Sequence, residues 1–417
     1  MTVHPRLVVV GDPAGRRVAF FQDALRAAGL PGARVVSWPD VLCGRARFGA
    51  GETVRLDSPG EDPEADRLLR GVDDPARVEG SGRWYTRFTA AVSALAGTVG
   101  DAGAALVDDP GELAVLFDKR LSHGRLRAAG VPVPESPTSG PAAAAVGGWA
   151  ELRSLLDAAG LRRVFVKLAH GSSASGVLAL ESNGAGRIQA TTSVERGPDG
   201  RLFNSLRVRR YTGEREIAAI VDALAPDGLH VERWLPKATQ DGRAADLRVV
   251  VIDGRATHAV VRTSRSPMTN LHLGGARGDL AAARAAIVSA GGRWEDALGV
   301  CERAAAAFPG TRCVGVDLLP ATGWRRFAVG EVNAFGDLLP GLKGLQGSGA
   351  EGLDTYAAQV AAQFPAARPA PAVPHPERTS TERTSTERTR TTRTITARTI
   401  TARTITARTS TTGTSTT

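Results

Sequence analysis

The stretch "GEVNAFGDLLPG", residues 330–341, decides how this chain is read. It runs as a strand into a loop of turn residues. Side chains alternate faces along a strand, so Glu331 and Asn333 point the same way while Val332 points into packed structure. Two oxygen ligands on one face suit a hard cation. A third stands upstream in "CVGVDLLPATGWRRFAVGEVN", residues 313–333, which reads as a hairpin turning near residues 321–325. That turn brings Asp317 across from Glu331. Asp317, Glu331 and Asn333 together offer all-oxygen ligation, which suits Mg²⁺, an ion that keeps several waters and completes its shell with substrate phosphates.

A place for phosphates lies in "RRVFVKLAHGSSASGVLAL", residues 162–180, which reads as apolar strand, small-residue loop, apolar strand. Lys167 puts an ammonium beside a run of residues whose backbone N–H groups can turn toward phosphate oxygens. The loop returns to a strand instead of opening a helix, so it is not a P-loop. The early turn "GDPAGR", residues 11–16, is neither GxGxxG nor GxxxxGK[ST], and reads as a substrate-side or structural turn.

The 417 residues predict two or three domains, and 42% apolar with 23% charged residues is the composition of an ordinary globular protein. No run approaches the ~18 apolar residues of a membrane span and no signal pattern opens the chain, so a cytoplasmic protein without a membrane partner is expected. Cys43, Cys301 and Cys313 form no CxxC pair, which argues against a disulfide framework or zinc site. The formal charge is +9, but eight arginines and three glutamates from residue 377 onward account for +5 of it. The body is only mildly basic. The tail repeats with a period of five, has almost no large apolar residues and no aromatics to stack bases, so it is expected to be disordered, and nucleic acid is not the expected partner.

The opening "RLVVVGDPAGRRVAFFQDALRAAGL" followed by "ARVVSW" is a βαβ unit and predicts a Rossmann-like parallel sheet over residues 1–111. Helices are expected over 84–97 and 111–129, then a loop at 138–148. Strands are expected near 187–193, 202–209 and 229–235, and helices near 214–224, 295–307 and 350–364. Asp253-Gly254 between two valine-rich runs predicts a second hairpin over 246–264.

The order of these pieces carries more than any one of them. A helix bearing Asp118-Lys119-Arg120, then "GVPVP", "FVKLAHGSSASGV", "VERWL", "DLRVVVIDG", "VVRTSRSPMTNLHLGG", "GVDLL" and "GEVNAFGDLLPG" resembles the ATP-grasp superfamily, and most of all its branch of RimK-type ligases and glutathione synthetases. The resemblance implies an α/β chain with α+β ATP-grasp lobes over residues 112–367 (small lobe about 112–230, large lobe about 231–367), followed by the tail at 368–417. It implies ATP and Mg²⁺ as cofactors. Lys119 and Lys167 match the lysines on the ATP phosphates, and His170, Gly171, Ser172, Ser173 and Gly176 match the flap over them. Glu232, with the backbone at Trp234 and Leu235, matches the hinge at the adenine edge. Asn270 and Gly274-Gly275 match the segment beside the phosphates. Arg248 and Arg262 match catalytic positions near the γ-phosphate and acyl group, and Asp317, Glu331 and Asn333 match the Mg²⁺ ligands. The chain departs from the pattern at Lys237, near where such enzymes often place an acidic ribose ligand.

The activity so implied is an ATP-dependent carbon–nitrogen ligase acting through an acylphosphate, with a small-molecule carboxylate and an amine or peptide acceptor as partners. A small-molecule kinase and a non-catalytic nucleotide-binding module are the alternatives. No HExxH pair is present, and the scheme needs no Ser-His-Asp arrangement or catalytic cysteine.

Overall fold

The computed structural model of the chain describes residues 6–364 apart from 173, 184, 185 and 338. Residues 1–369 form one compact unit, and a second, 370–417, holds the repeat tail, which lies outside the described residues.

The N-terminal segment builds a four-stranded sheet in the order β2-β1-β3-β4, from β1 (Arg6–Gly11), β2 (Arg34–Ser37), β3 (Glu52–Leu56) and β4 (Ala105–Leu106), with every pair parallel. Both faces are covered, as an all-parallel sheet requires. Val8 and Val10 join Val54, Leu56, Phe88 and Val92 on one side, whereas Leu7 and Val9 join Phe21, Leu25, Tyr356 and Val360 on the other. The near-continuous valine run of β1 is the sequence form of that double burial. Helices α1 (Arg16–Ala27), α2 (Trp38–Leu42), α3 (Pro63–Arg70) and α4 (Ser81–Asp101) accompany the sheet. The sequence showed no periodicity over 57–83. There α3 is a short helix capped by the Asp62 carboxylate, which accepts from Glu64 N and Ala65 N.

The single helix expected over 111–129 is two, α5 (Pro110–Leu116) and α6 (Lys119–Ala128). Asp118 ends the first and N-caps the second by accepting from the backbone of Arg120 and Leu121, which competes with a continuous helix. That break sets Lys119 at the first turn of α6, with its backbone N–H on Ala169 O at 2.9 Å. After α7 (Trp149–Ala158), β5 (Arg163–Leu168), β6 (Leu178–Ser182), β7 (Ile188–Arg196), β8 (Leu202–Tyr211) and β9 (Leu229–Arg233) form an antiparallel sheet ordered β8-β7-β6-β5-β9. Helix α8 (Glu214–Leu224) buries Ile217, Ile220, Val221 and Leu224 in the same cluster as Val164, Val166 and Leu180 of the sheet.

The third sheet follows after a change of direction between Arg233 and Thr239. Strands β10 (Thr239–Gln240), β11 (Arg243–Ile252), β12 (Arg255–Ser264), β13 (Ala276–Arg277), β14 (Cys313–Pro320) and β15 (Phe327–Ala334) give the antiparallel order β13-β12-β11-β14-β15, with β10 against β11. Helices α9 (Leu280–Ser289) and α10 (Trp294–Ala306) share one core with it, around Val249, Val251, Val314 and Val316. Helix α11 (Thr355–Gln363) returns to the first sheet, where Tyr356 and Val360 pack with Phe21. Among the described residues no helix is long and apolar enough to cross a membrane.

Candidate active site

The hairpin of β14 and β15 pairs Asp317 with Glu331 and Gly315 with Asn333, so the three oxygen-bearing side chains share a face and Val332, 1% exposed, faces the core. Register slips between Asp317 and Leu318, leaving Gly330 as the extra residue of a bulge beside Glu331. A bulge of this kind re-aims the neighbouring side chain and is common beside functional sites.

Each carboxylate of this face meets a protein cation. Glu331 Oε1 accepts from Lys119 Nζ at 2.6 Å, and Lys119 also reaches Gly171 O in the loop after β5 at 2.7 Å. Asp317 Oδ1 receives Arg248 Nε at 2.5 Å and Arg262 NH2 at 3.1 Å. Burial alone would push the Asp317 carboxyl up, but the two guanidiniums outweigh it and hold it below the usual carboxylate range. Asn333 Nδ2 donates to Gly315 O at 3.2 Å, which leaves its amide oxygen for a cation.

On the opposing sheet, Lys167 pairs with Glu232, diagonal to it across β5 and β9. Burial opposes both charges. Yet Glu232 and Glu331 keep the Lys167 ammonium above the ordinary lysine range, and Lys167 holds the Glu232 carboxyl down at about 2. His170 is stacked on Tyr85 of α4, with centroids 4.0 Å apart and rings 13° from parallel, and its Nδ1 is 3.2 Å from Phe117 O. Burial pushes it below the ordinary histidine range in spite of Asp118, so it is an anchored neutral side chain instead of a free loop cation. Gly176 ends the small-residue loop after β5 at φ +67°, where an added Cβ would meet Leu168 Cδ1 at 2.7 Å.

These elements enclose a cleft of 570 Å³. Lys119, Lys167, His170, Gly171, Ser172, Glu232, Arg248, Arg262, Asn270, Asp317, Glu331 and Asn333 all line it. Gly176, Trp234 and Leu235 do not; Trp234 tilts against Phe165, and its backbone N–H is held by Arg163 O at 2.9 Å. Ser173 lies outside the described residues. Asn270 sits in a loop that folds tightly because Gly275 has no Cβ; one there would come within 2.6 Å of Thr269 O.

One contributor, Asp246, was not singled out from the sequence. Asp246 is the hub of a buried network: Lys237 Nζ reaches it at 3.0 Å, Arg262 Nε at 2.8 Å, and the Thr269 hydroxyl donates to its second oxygen. Against the opposing effect of burial, Arg262 and Lys237 keep its carboxyl below the usual range. Asp337 receives Arg248 NH1 at 2.9 Å. A signal was present, since Asp246 and Arg248 are two apart on one strand and share a face. What opposes them, Arg262 and Asp317, depends on register.

The donor set fits a Mg²⁺ ion. Among the described residues no group of three or more His, Cys, Asp and Glu side chains could hold a metal, so a cation here relies on two carboxylates, Asn333 and the oxygens of an anionic ligand. Around this face the cations Lys119, Lys167, Lys237, Arg248 and Arg262 are each paired with an acid among Glu232, Asp246, Asp317, Glu331 and Asp337. A divalent cation therefore enters such a balanced site most readily together with a polyanion.

No family model matches the chain, and no curated protein does. Among solved structures it is similar to D-cycloserine synthetase DcsG, with a TM-score of 0.52 at 18% identity over 87% of this chain and 99% of that one. It is also similar to the ATP-grasp ligase PsnB complexed with a phosphomimetic variant of minimal precursor, Mg and ADP, with a TM-score of 0.50 at 17% identity over 88% and 100% of the two chains. The chain has the ATP-grasp fold.

Proposed function

We propose that this protein is an ATP- and Mg²⁺-dependent ligase that joins a carboxylate to an amine through an acylphosphate. One observation carries the reading. Two lysines under a small-residue flap face two carboxylates and an amide across a single cleft, with Arg248 and Arg262 between them. A substrate carboxylate oxygen attacks the γ-phosphorus, the bond to the ADP oxygen breaks, and the amine then displaces phosphate from the acyl carbon and gives up a proton. Asp317, Glu331 and Asn333 would hold a Mg²⁺ ion, which would supply charge neutralisation for the phosphate. Lys119 and Lys167 bind and orient those oxygens, and Arg248 and Arg262 stabilise the charge that moves during transfer. The flap excludes water, which would otherwise hydrolyse the acylphosphate. Lys119 already bridges flap and metal face, so nucleotide binding and flap position are coupled through one side chain. That PsnB is solved with Mg, ADP and a variant of its minimal precursor supports this choice of cofactors.

The test is incubation with ATP, Mg²⁺, a panel of carboxylates and hydroxylamine. Hydroxamate, ADP and free phosphate together support the ligase. A phosphorylated acceptor without free phosphate would make the protein a kinase. Glu331→Ala is expected to abolish Mg²⁺-dependent turnover with the fold intact, and unchanged activity in that variant removes the metal assignment.

A further inference from the structure

Lys167 has a neighbour that the proposed chemistry leaves unused. His230 is its register partner across β5 and β9, so the two side chains stand on one face of that sheet, with Glu232 next along β9 on the same face. Lys167 pairs with Glu232 Oε1. The other oxygen, Oε2, is buried without a hydrogen-bond partner, and His230 Nε2 stands 3.5 Å from it, just beyond a formed hydrogen bond. The ring is set for that contact. His230 is 1% exposed, and burial pushes it below the ordinary histidine range against the pull of Glu232, so it is neutral and one nitrogen carries a hydrogen. Thr138 Oγ1 accepts the Val231 N–H at 2.8 Å and lies 3.1 Å from His230 Nδ1, closer than it lies to Ser136 Oγ at 3.3 Å or Val231 O at 3.4 Å. The hydroxyl proton therefore goes to Nδ1, and the hydrogen of the ring sits on Nε2, toward Glu232. His123 of α6 does not compete: its ring lies 5.3 Å from that of His230, and its nitrogens are taken by Ser139 Oγ at 2.8 Å and Pro134 O at 2.7 Å.

A phosphate that enters the cleft competes with Glu232 for the Lys167 ammonium. Each N–H that Lys167 turns to phosphate uncovers Glu232, and a buried carboxylate stripped of its cation is heavily penalised. We propose that His230 is a positioning residue that takes over Glu232 when Lys167 engages phosphate. Its Nε2–H closes the short gap to the bare oxygen in a charge-assisted hydrogen bond, and the ammonium leaves Oε1 without leaving the carboxylate unpartnered. No proton changes owner in this exchange; one hydrogen-bond donor replaces another. An apolar side chain at position 230 would make the same move of Lys167 expensive. The inference rests on the reading of the cleft as an ATP site, and extends it to a residue that touches neither nucleotide nor metal.

The test is calorimetric titration of the full chain with AMPPNP, a non-hydrolysable ATP analogue, in the presence of Mg²⁺. His230→Leu is expected to weaken AMPPNP binding at least fivefold, and His230→Gln, whose amide N–H reaches the place of Nε2, is expected to recover most of the loss. The same leucine change is then made in a Glu232→Gln background. There no buried carboxylate needs a substitute donor, so adding His230→Leu is expected to change affinity less than twofold, whereas a merely structural histidine would give the same loss in both backgrounds. Thr138→Val, which removes the hydroxyl on Nδ1, is the second variant should His230→Leu fail to fold, and it is expected to weaken AMPPNP at least threefold. Binding within twofold of the parent in His230→Leu, or in Thr138→Val where it stands in, overturns the inference and leaves the ATP site in place. So does an equal loss with and without Glu232→Gln. A parent chain that binds no AMPPNP overturns the ATP site and this inference together.

Discussion

Replacing Lys167 with Met tests the electrostatic core of the site. Glu232 is 3% exposed, and its carboxyl sits at about 2 against an ordinary 4.5; burial alone would raise it, and Lys167 is the main reason it falls. At about 1.4 kcal/mol per tenfold in the proton equilibrium, that difference corresponds to about 3 kcal/mol, in line with the cost of breaking a buried pair by removing one partner. The sign follows from linkage. A carboxyl depressed in the folded state contributes stability that is present above its unfolded value and lost as pH falls toward its folded one. Without Lys167, burial of the Glu232 carboxyl is opposed mainly by His230 alone, so the carboxyl rises from its folded-state value. The variant is therefore expected to lose about 3 kcal/mol in urea unfolding near pH 7, and less as acid protonates Glu232 in the folded state. Lys167→Met with Glu232→Gln is expected to recover most of the loss while remaining inactive. A loss under about 1 kcal/mol, or one that does not narrow at acid pH, would refute the pairing argument.

Three more outcomes follow from particular positions. Gly176→Ala puts a Cβ against Leu168 at a positive φ, and is expected to cost about 1–3 kcal/mol in urea unfolding and to raise KM for ATP. Burial pushes Asp108 up to about 6 against the pull of Arg55; a carboxyl raised in the folded state stabilises below its unfolded value and loses that contribution as pH rises through about 6. Asp108→Asn should therefore gain stability relative to the parent between about pH 4 and pH 7, as read by melting temperature. Removal of residues 377–417 is expected to leave ATP turnover within a few-fold, checked by ADP release.

Much of the architecture was legible because local physics wrote it. Alternation exposed the face shared by Glu331 and Asn333, Asp253-Gly254 announced the hairpin of β11 and β12, and the valine run of β1 announced a strand buried on both sides. Where a polar side chain competes with the local pattern the sequence was harder to read, as at Asp118, whose carboxylate takes two backbone N–H groups and splits one helix into two. The strand β3 was harder to read because it is only five residues long and carries two charged side chains that are nevertheless buried, Glu52 and Arg55, the latter with its guanidinium 4.8 Å from the Phe21 ring.

The sequence by itself determined the chemistry available: which side chains are lysine, arginine or carboxylate, and which strand face each occupies. Those properties follow from residue type and a period of two, and need no partner. Only the tertiary structure decided who meets whom. Lys119 on Glu331, Arg262 between Asp246 and Asp317, Lys167 on Glu232 and Arg17 beside Phe335 are contacts between segments up to 318 residues apart. Register across a sheet and the packing of separate sheets set such distances, and a one-residue slip would turn every one of these strand side chains to the other face.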